Sequence, residues 1–280
     1  MRSPRLIVAT LALSLSFAVP VVHADDHPML DTFSVSAGFF ANNFDGGLRA
    51  DGQVKNSGTT LNFSRDLGQD DSRYLPYFAV SWRPWDRHEF EFSYYHDSTD
   101  GNRTLTRNLQ FNNQELVVGS TLRSKFTLDT FGFTYRYWAW IGDEAAFALT
   151  GGLQAYSFDL KLDGTVSANG PGGGGTATRQ AKAKANTDLP DPSIGVAFRY
   201  QMASWARLTA DLGAFKANIA DIDATLYNAR VGVEFYPFEN WAVITQYSYN
   251  KIDADVNKDR FRGNATFRFS GGQVLLKYRF

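Results

Sequence analysis

The residue types best suited to catalysis in this sequence meet at His96 and Asp97, which follow the segment "EFEFSYY". A histidine near the outer end of a strand can act as the general base for a serine nucleophile in peptide or ester hydrolysis. His96 shares its parity with Phe92 and Tyr94, however, so a strand here would turn it away from the polar face. No serine partner is recognisable in the pattern. We therefore expect a structural histidine and a protein that is not an enzyme.

Two further segments resemble ligand-binding loops. Residues 253–259, "DADVNKD", begin like a calcium loop, with oxygen-bearing side chains at alternate positions. Such a loop needs glycine at its sixth position and glutamate at its twelfth, where this sequence has Lys258 and Asn264. The glycine-rich run 169–175 lacks the lysine and the following helix of a phosphate-binding loop. We expect a polar hairpin tip and a flexible loop, with no metal and no cofactor.

Composition narrows the class of protein. The chain has 280 residues, a formal net charge of −1 and no cysteine. The near-neutral charge gives no reason to expect nucleic acid as a partner. The absence of cysteine excludes disulfides and a lipid-modified cysteine at the N-terminus.

The N-terminus has the organisation of a secretory signal peptide. Arg2 and Arg5 precede an apolar stretch from Leu6 to Val19, which is shorter than the ~20 residues that a membrane-spanning helix needs. The sequence Val-His-Ala at 22–24 is a small-residue cleavage site, so we predict cleavage after Ala24 and one domain over 25–280. No later apolar run approaches the length of a spanning helix, so only a closed barrel could place this chain in a membrane.

Aromatic residues make up 15% of the chain and recur in alternating runs, which favours strands. These runs are divided by four tight turns, at 83–87, 141–144, 201–204 and 237–240. Longer polar connections lie between them, at 45–73, 98–125, 160–190, 218–222 and 254–262. This rhythm predicts an all-β protein: a transmembrane antiparallel up-and-down β-barrel with long extracellular hairpins. The predicted strands are 31–44, 74–84, 87–98, 126–140, 144–160, 191–201, 204–217, 223–237, 240–254 and 262–280.

Two features of the longer connections bear on the strand count. The segment "GTTLNFSRDL" at 58–67 also reads as strand, and residues 103–126 alternate on both sides of Asn112 and Asn113. Eight or twelve strands stay possible if the region 45–73 pairs differently.

The charged residues within the predicted strands share one face. Arg136, for example, has the opposite parity to Phe133 and Tyr135. The inward set includes Glu89, Glu91, Arg136, Arg199, Asp211, Arg230 and Glu234. Distance from the short turns places Glu91, Arg136, Asp211 and Arg230 near mid-barrel, and places Arg83, Glu89, Arg199, Arg207, Glu234 and Lys277 below them. Because buried charges must be paired, we interpret the set as a salt-bridge plug. The alternative is a charged constriction that selects permeants.

All six tryptophans lie near a predicted short turn. Indole side chains favour the boundary between lipid and water. We therefore predict a periplasmic aromatic girdle formed by Trp82, Trp85, Trp138, Trp140, Trp205 and Trp241.

The chain ends "GGQVLLKYRF", with Val274, Leu276, Tyr278 and Phe280 on one parity. This pattern resembles the terminal strand of bacterial outer-membrane barrels, and with the signal peptide and the turn rhythm the chain resembles small barrels of the OmpA/OmpW type. The resemblance implies location in the bacterial outer membrane, with Tyr278 and Phe280 read by the barrel-assembly machinery. It also implies contact with outer-membrane lipid and lipopolysaccharide, and it transfers no catalytic residue.

These observations favour a non-enzymatic barrel protein, expected to be a monomer, with a structural, surface-interaction or small-solute role. A narrow OmpW-like channel for small solutes is the first alternative. An outer-membrane hydrolase acting on lipid A or peptides is the second.

The terminal pattern makes a prediction about assembly. Phe280→Asp should leave an exported, protease-sensitive chain, because the closing aromatic is the expected recognition element. Heat-modifiable migration on gels and protease resistance of isolated membranes measure the folded fraction. Unchanged migration of the Phe280→Asp protein would remove the assembly-signal interpretation.

Overall fold

A computed structural model describes residues 29–52, 59–106, 109–111, 114–116, 119, 121–169, 176–219, 222–258 and 261–280. The predicted signal peptide, the pair Asn112 and Asn113, and residues 170–175 of the glycine-rich run lie outside the described residues. Within the described ranges, no helix is long and apolar enough to cross a membrane.

The described chain is built from thirteen strands and one short helix. The strands are β1 (Phe33–Gly52), β2 (Leu61–Asn62), β3 (Ser72–Trp85), β4 (His88–Thr104), β5 (Leu109–Phe111), β6 (Gln114–Leu116), β7 (Thr121–Ile141), β8 (Ala145–Asn169), β9 (Thr176–Ala203), β10 (Ala206–Ile219), β11 (Ile222–Phe238), β12 (Trp241–Lys258) and β13 (Phe261–Arg279). The helix is α1 (Phe63–Leu67).

Ten of these strands form a closed antiparallel ring in the order β1-β3-β4-β7-β8-β9-β10-β11-β12-β13. Pairing of β13 with β1, from Ser34 opposite Arg279 to Gly52 opposite Arg262, closes the ring. Strand β2 pairs with β1 outside the ring, and β5 and β6 form a separate small hairpin. The predicted ten-stranded up-and-down barrel is confirmed.

The two ends of the barrel differ in their connections. At one end, here called the short-turn end, two to three residues join β3 to β4, β7 to β8, β9 to β10 and β11 to β12. At the other, the long-strand end, β8 and β9 run for 25 and 28 residues. A membrane-crossing strand needs only about 9–11 residues, so these strands continue well beyond that length.

Successive residues of each strand face opposite sides of the barrel wall. The outer face is apolar, and the interior toward the short-turn end, here called the lower interior, is largely polar. The outward faces expose large apolar side chains, among them Phe39, Phe78, Phe92, Phe131, Leu153, Ile194, Leu212, Val231, Tyr247 and Val274. The buried side chains of the lower interior include Arg83, Glu89, Arg136, Arg207 and Lys277. This distribution is the reverse of that in a water-soluble protein, where charged side chains are almost never fully buried.

The segment predicted as strand at 58–67 is only partly a strand, because local capping favours a helix after Asn62. The Asn62 side chain accepts a hydrogen bond from the backbone N–H of Arg65, at 2.8 Å. The Asp66 carboxylate accepts the N–H of Asn62, at 2.9 Å. Gly68 ends α1 in the left-handed conformation, with φ of 66°, which glycine adopts without steric cost. The prediction of a strand is therefore confirmed at Leu61–Asn62 and wrong at Phe63–Leu67.

Helix α1 folds into the long-strand end of the barrel. Phe63 and Leu67 are buried, and the Phe63 ring packs 5.6 Å from Phe44 and 5.4 Å from Phe126. Phe269 lies 5.0 Å from the same Phe44 ring. We call this group of inward side chains the apolar cap; it comprises Phe44, Leu61, Phe63, Leu67, Phe126, Leu128, Phe267 and Phe269. The interior at the long-strand end is therefore filled by the chain's own side chains.

Neighbouring residues of β1 give a direct test of this inside-outside assignment. Phe40 is 1% exposed and faces the interior, whereas Phe39 is 63% exposed and faces outward. Phe40→Ala should cost about 3–5 kcal/mol in unfolding free energy, since it leaves a cavity. Phe39→Ala should cost less, because detergent or lipid fills the vacated space. Denaturant unfolding of the refolded barrel in micelles measures both, and equal losses would contradict the assigned faces.

Candidate functional site

The inner wall of the barrel is organised around Arg136, whose side chain has no exposed surface. Its guanidinium contacts three carboxylates: Nη1 lies 2.8 Å from Glu89 Oε1, Nη2 lies 3.0 Å from Glu91 Oε2, and Nε lies 2.9 Å from Asp211 Oδ1. Charge-assisted hydrogen bonds of this length are among the strongest that side chains form. Arg136 therefore joins three acidic side chains into one network.

Contacts of this network cross the lumen. Glu89 and Arg136 are directly opposite on β4 and β7, and Asp211 and Arg230 are directly opposite on β10 and β11. Arg136 reaches from the first wall to Asp211 on the second. In return, Arg230 Nη2 reaches Glu91 Oε1 on the first wall, at 2.9 Å. These two bridges span the barrel interior.

Arg199 completes the network, with Nη1 at 3.1 Å from Asp211 Oδ2. We call the group the central layer; its members are Glu89, Glu91, Arg136, Arg199, Asp211 and Arg230. It contains three carboxylates and three guanidinium groups, so it is formally neutral. Buried charges are tolerated only when paired and hydrogen-bonded, and this layer meets both conditions.

A second cluster, here called the lower cluster, lies toward the short-turn end. Lys277 Nζ contacts Asp31 Oδ2 at 2.5 Å and Glu234 Oε1 at 3.0 Å. Arg207 contacts the same two acids, at 3.3 Å from Asp31 and 3.1 Å from Glu234. The Tyr236 hydroxyl donates to Glu234 Oε2 at 2.5 Å. The cluster thus consists of two acids, two cations and a tyrosine.

Asp31 belongs to a segment that precedes the first strand and enters the barrel. We call Met29–Thr32 the tail segment. Met29 is fully buried and Leu30 is nearly so; both pack against Trp138 and the small inward residues Ala146, Ala148 and Ala197. The Arg83 guanidinium donates to the backbone carbonyls of Leu30, at 3.2 Å, and Asp31, at 3.3 Å. The tail segment therefore fills the barrel at its short-turn end.

The electrostatic surroundings keep Asp31 ionised. Burial on its own would raise the pKa of the Asp31 carboxyl, but the charges of Lys277 and Arg207 lower it by more, so that this pKa lies well below its ordinary value. The negative charge on Asp31 is therefore retained throughout the neutral pH range.

The space left inside the barrel around the central layer is small. One cavity of about 70 Å³ lies between the central layer and the lower cluster, and its lining includes Ser34, Ser36 and Ser81. A second, of about 80 Å³, lies on the other side, against Tyr77, Tyr95 and Phe40. Each cavity has room for a few water molecules. Its volume is far smaller than that of a pocket for a drug-sized ligand.

The predicted inward residues are all brought into the lumen, but two of them do not lie at the predicted height. Glu89 and Arg199, expected below mid-barrel, contact Arg136 and Asp211 directly. Glu234, also expected below mid-barrel, lies in the lower cluster with Arg207 and Lys277. Glu91 contacts both Arg136 and Arg230, two partners between which the sequence does not choose.

The predicted aromatic girdle is wrong at Trp138. This side chain is fully buried, and its Nε1 donates to Glu89 Oε2 at 3.0 Å. Trp138 continues the inward parity of Arg136, whereas a register shift between Trp138 and Trp140 turns Trp140 outward. The other tryptophans are exposed near the short turns: Trp82, Trp85, Trp140, Trp205 and Trp241.

Sequence reasoning missed the tail segment and Tyr236. Asp31 was included in the first predicted strand, although strand β1 begins at Phe33. Tyr236 continues the polar parity of Glu234, which is the signal that could have placed it inside. The tail segment is too short for periodicity to assign it a position.

The residues singled out for hydrolysis and calcium binding have other contacts. His96 Nδ1 lies 2.8 Å from Asp129 Oδ1, which also accepts the Tyr94 hydroxyl at 2.8 Å. Asp253 and Asp255 accept hydrogen bonds from Thr266 and Asn264 of the neighbouring strand. These oxygens therefore link β12 to β13, while residue 259 lies outside the described ranges.

No protein-family model matches the sequence, and no curated protein matches it. The fold does resemble solved structures. The outer-membrane protease OmpT from Escherichia coli aligns with a TM-score of 0.60 and 11% identity over 88% of this chain and 97% of that one. The Pseudomonas putida toluene transporter TodX gives a TM-score of 0.39 and 9% identity, over 90% of each chain. Ail from Yersinia pestis gives 0.28 and 11%, over 87% of this chain and 99% of that one. The likeness to OmpT is one of fold alone.

The central layer makes a thermodynamic prediction. Glu91→Ala and Arg230→Ala should each cost about 3–5 kcal/mol, because each leaves buried charge without its partner. The double variant should lose less than the sum of the two single losses. Denaturant unfolding in micelles, followed by tryptophan fluorescence, measures the cycle.

The outward pair Arg268 and Asp45 serves as the control, at 3.4 Å with both side chains substantially exposed. Breaking it should cost no more than about 1 kcal/mol. Strictly additive losses for Glu91 and Arg230 would mean that the two residues do not interact across the lumen.

Proposed function

We propose that this chain is a non-enzymatic outer-membrane protein whose lumen is closed, with a structural or surface-interaction role carried by its long-strand end. The observation that supports closure most directly is the pair of cross-lumen contacts, Arg136 with Asp211 and Arg230 with Glu91. They lie between the apolar cap and the tail segment. Three successive groups of side chains therefore stand in the path of a solute.

The proposed location follows from the exposed outer face. Its large apolar side chains would be costly in water but not in lipid, and a closed ring leaves no unpaired strand edge. The exposed tryptophans near the short turns suit the periplasmic boundary, which would place the long-strand end outside the cell. Lipopolysaccharide and other outer-membrane lipids would contact the outer face, and the assembly machinery would recognise Tyr278 and Phe280.

A narrow channel for small solutes is the alternative to a closed barrel, and the two small polar cavities on either side of the central layer favour it. Single-channel recording in planar bilayers distinguishes the two. The closed barrel should give no discrete conductance steps, with insertion verified on the same vesicles by protease protection. Regular steps from the native protein would overturn closure and support the channel.

The hydrolase alternative has less support. Histidine lies between serine and the acid in serine hydrolases, whereas here Asp129 stands between His96 and Ser157 in strand register. Incubation with lipid A and with a peptide library tests this directly. Turnover by the native protein that is lost in His96→Ala would replace the non-enzymatic proposal.

A further inference from the structure

The tail segment is held at the short-turn end by contacts of three kinds. Lys277, Arg207 and Arg279 surround the Asp31 carboxylate, at 2.5, 3.3 and 3.6 Å. Arg83 holds the main chain through two carbonyls. The side chains of the first two residues pack into apolar space. These are the contacts by which a protein recognises a peptide: charge, main chain and apolar pockets.

The apolar space exists because the barrel wall is built from small residues at this level. Ala146, Ala148 and Ala197 are fully buried on the inner faces of β8 and β9. Larger side chains there would occupy the volume that Met29 and Leu30 fill. Trp138 forms the far side of this pocket, and its indole is fixed by Glu89 of the central layer. The pocket therefore has a defined depth, which ends at the central layer.

The charge left without the tail segment specifies what the site prefers. Among the described residues, removing Asp31 would leave Glu234 beside Arg207 and Lys277, while Arg83 lies near Glu89 and Asp86 and Arg279 lies close by. The described side chains around the segment thus carry an excess of positive charge, and a carboxylate lowers that excess. A neutral segment of the same shape would remove the carboxylate that Lys277 contacts at 2.5 Å, which is strongly unfavourable for a buried cation.

We propose that the short-turn mouth is a binding site for a short peptide with two apolar residues followed by an acidic one, and that Met29–Asp31 occupies it in cis as a releasable seal. The seal closes the lower cavity, between the tail segment and the central layer. Its release exposes a cationic chamber that admits anions in preference to cations. This inference does not depend on the central layer being a complete block, because the chamber lies below it.

The absence of cysteine from the chain allows a clean test. Ser36 is buried and lines the lower cavity, so Ser36→Cys places a thiol behind the seal. With the native tail, this thiol should react slowly with charged methanethiosulfonate reagents. In the triple variant Met29→Gly, Leu30→Ser and Asp31→Asn, the thiol should react about tenfold faster or more. The reason is that the buried ion pairs of Asp31 are lost and no longer hold the segment in place. The anionic reagent should gain more than a cationic reagent of similar size.

Adding the segment back in trans tests recognition separately from sealing. A terminally blocked peptide with the sequence of residues 29–32, "MLDT", should restore protection of the Ser36→Cys thiol in the tail-substituted protein. The same peptide with asparagine in place of the aspartate should not. Asp143→Cys, in the exposed short turn between β7 and β8, is the matched control, and its labelling should be unaffected by either change.

Each outcome decides a part of the inference. Unchanged reactivity of Ser36→Cys in the tail-substituted protein would show that the tail segment is not the seal. Equal acceleration for both reagents would remove the electrostatic preference, and failure of the acidic peptide to protect would remove the binding site. If the triple substitution prevents folding, Asp31→Asn alone carries the test, because it preserves the shape of the segment and removes only the charge. Native conductance, which would overturn the closed barrel, leaves all of these readouts intact.

Discussion

Closure of the ring by β13 against β1 is the constraint on which the rest of this structure depends. Once the last strand pairs with the first, each of the ten strands has a paired neighbour on both sides within the ring, and alternate side chains there point into a confined interior. Many of the outward side chains in the ring are large and apolar. The side chains of this protein therefore pack against one another within the lumen, and only small cavities remain around the central layer.

The interior is filled in two chemically different ways along its axis. Toward the long-strand end, the apolar cap fills the space by aromatic packing, as in an ordinary hydrophobic core. Toward the short-turn end, charged side chains fill it, and each must find a partner because the walls exclude bulk water. Arg136 contributes most here, since one planar guanidinium serves three carboxylates on two walls. A lysine has no such fork of donors.

The sequence predicts which side chains face the lumen better than it predicts which side chains they contact there. Alternation with period two assigns Glu91, Arg136 and Arg230 to the inside, and the structure places them there. Their partners depend on strand tilt and on stagger around the ring, which no single strand records. Trp138 was misplaced because proximity to a turn was given more weight than parity. Helix α1 carries local signals, with Asn62 before it and Gly68 after it, but the tail segment has none: its position follows from a pocket made by residues more than a hundred positions away.

The three closures differ in what must move to relieve them. The central layer is carried by the walls, so its backbone is fixed by the ladders of β4, β7, β10 and β11, and only side-chain rotation could open it. The tail segment and α1 are not strands of the ring. Met29–Asp31 can therefore leave without breaking a ring ladder, while the Thr32 carbonyl stays attached to β3 by accepting the Arg83 N–H at 2.8 Å. Separating the hydrogen-bonded strands of the ring costs more free energy than releasing a segment that lies outside their ladders. If the lumen is closed as proposed, solutes enter only at the two ends, and the central layer separates the two small cavities beside it.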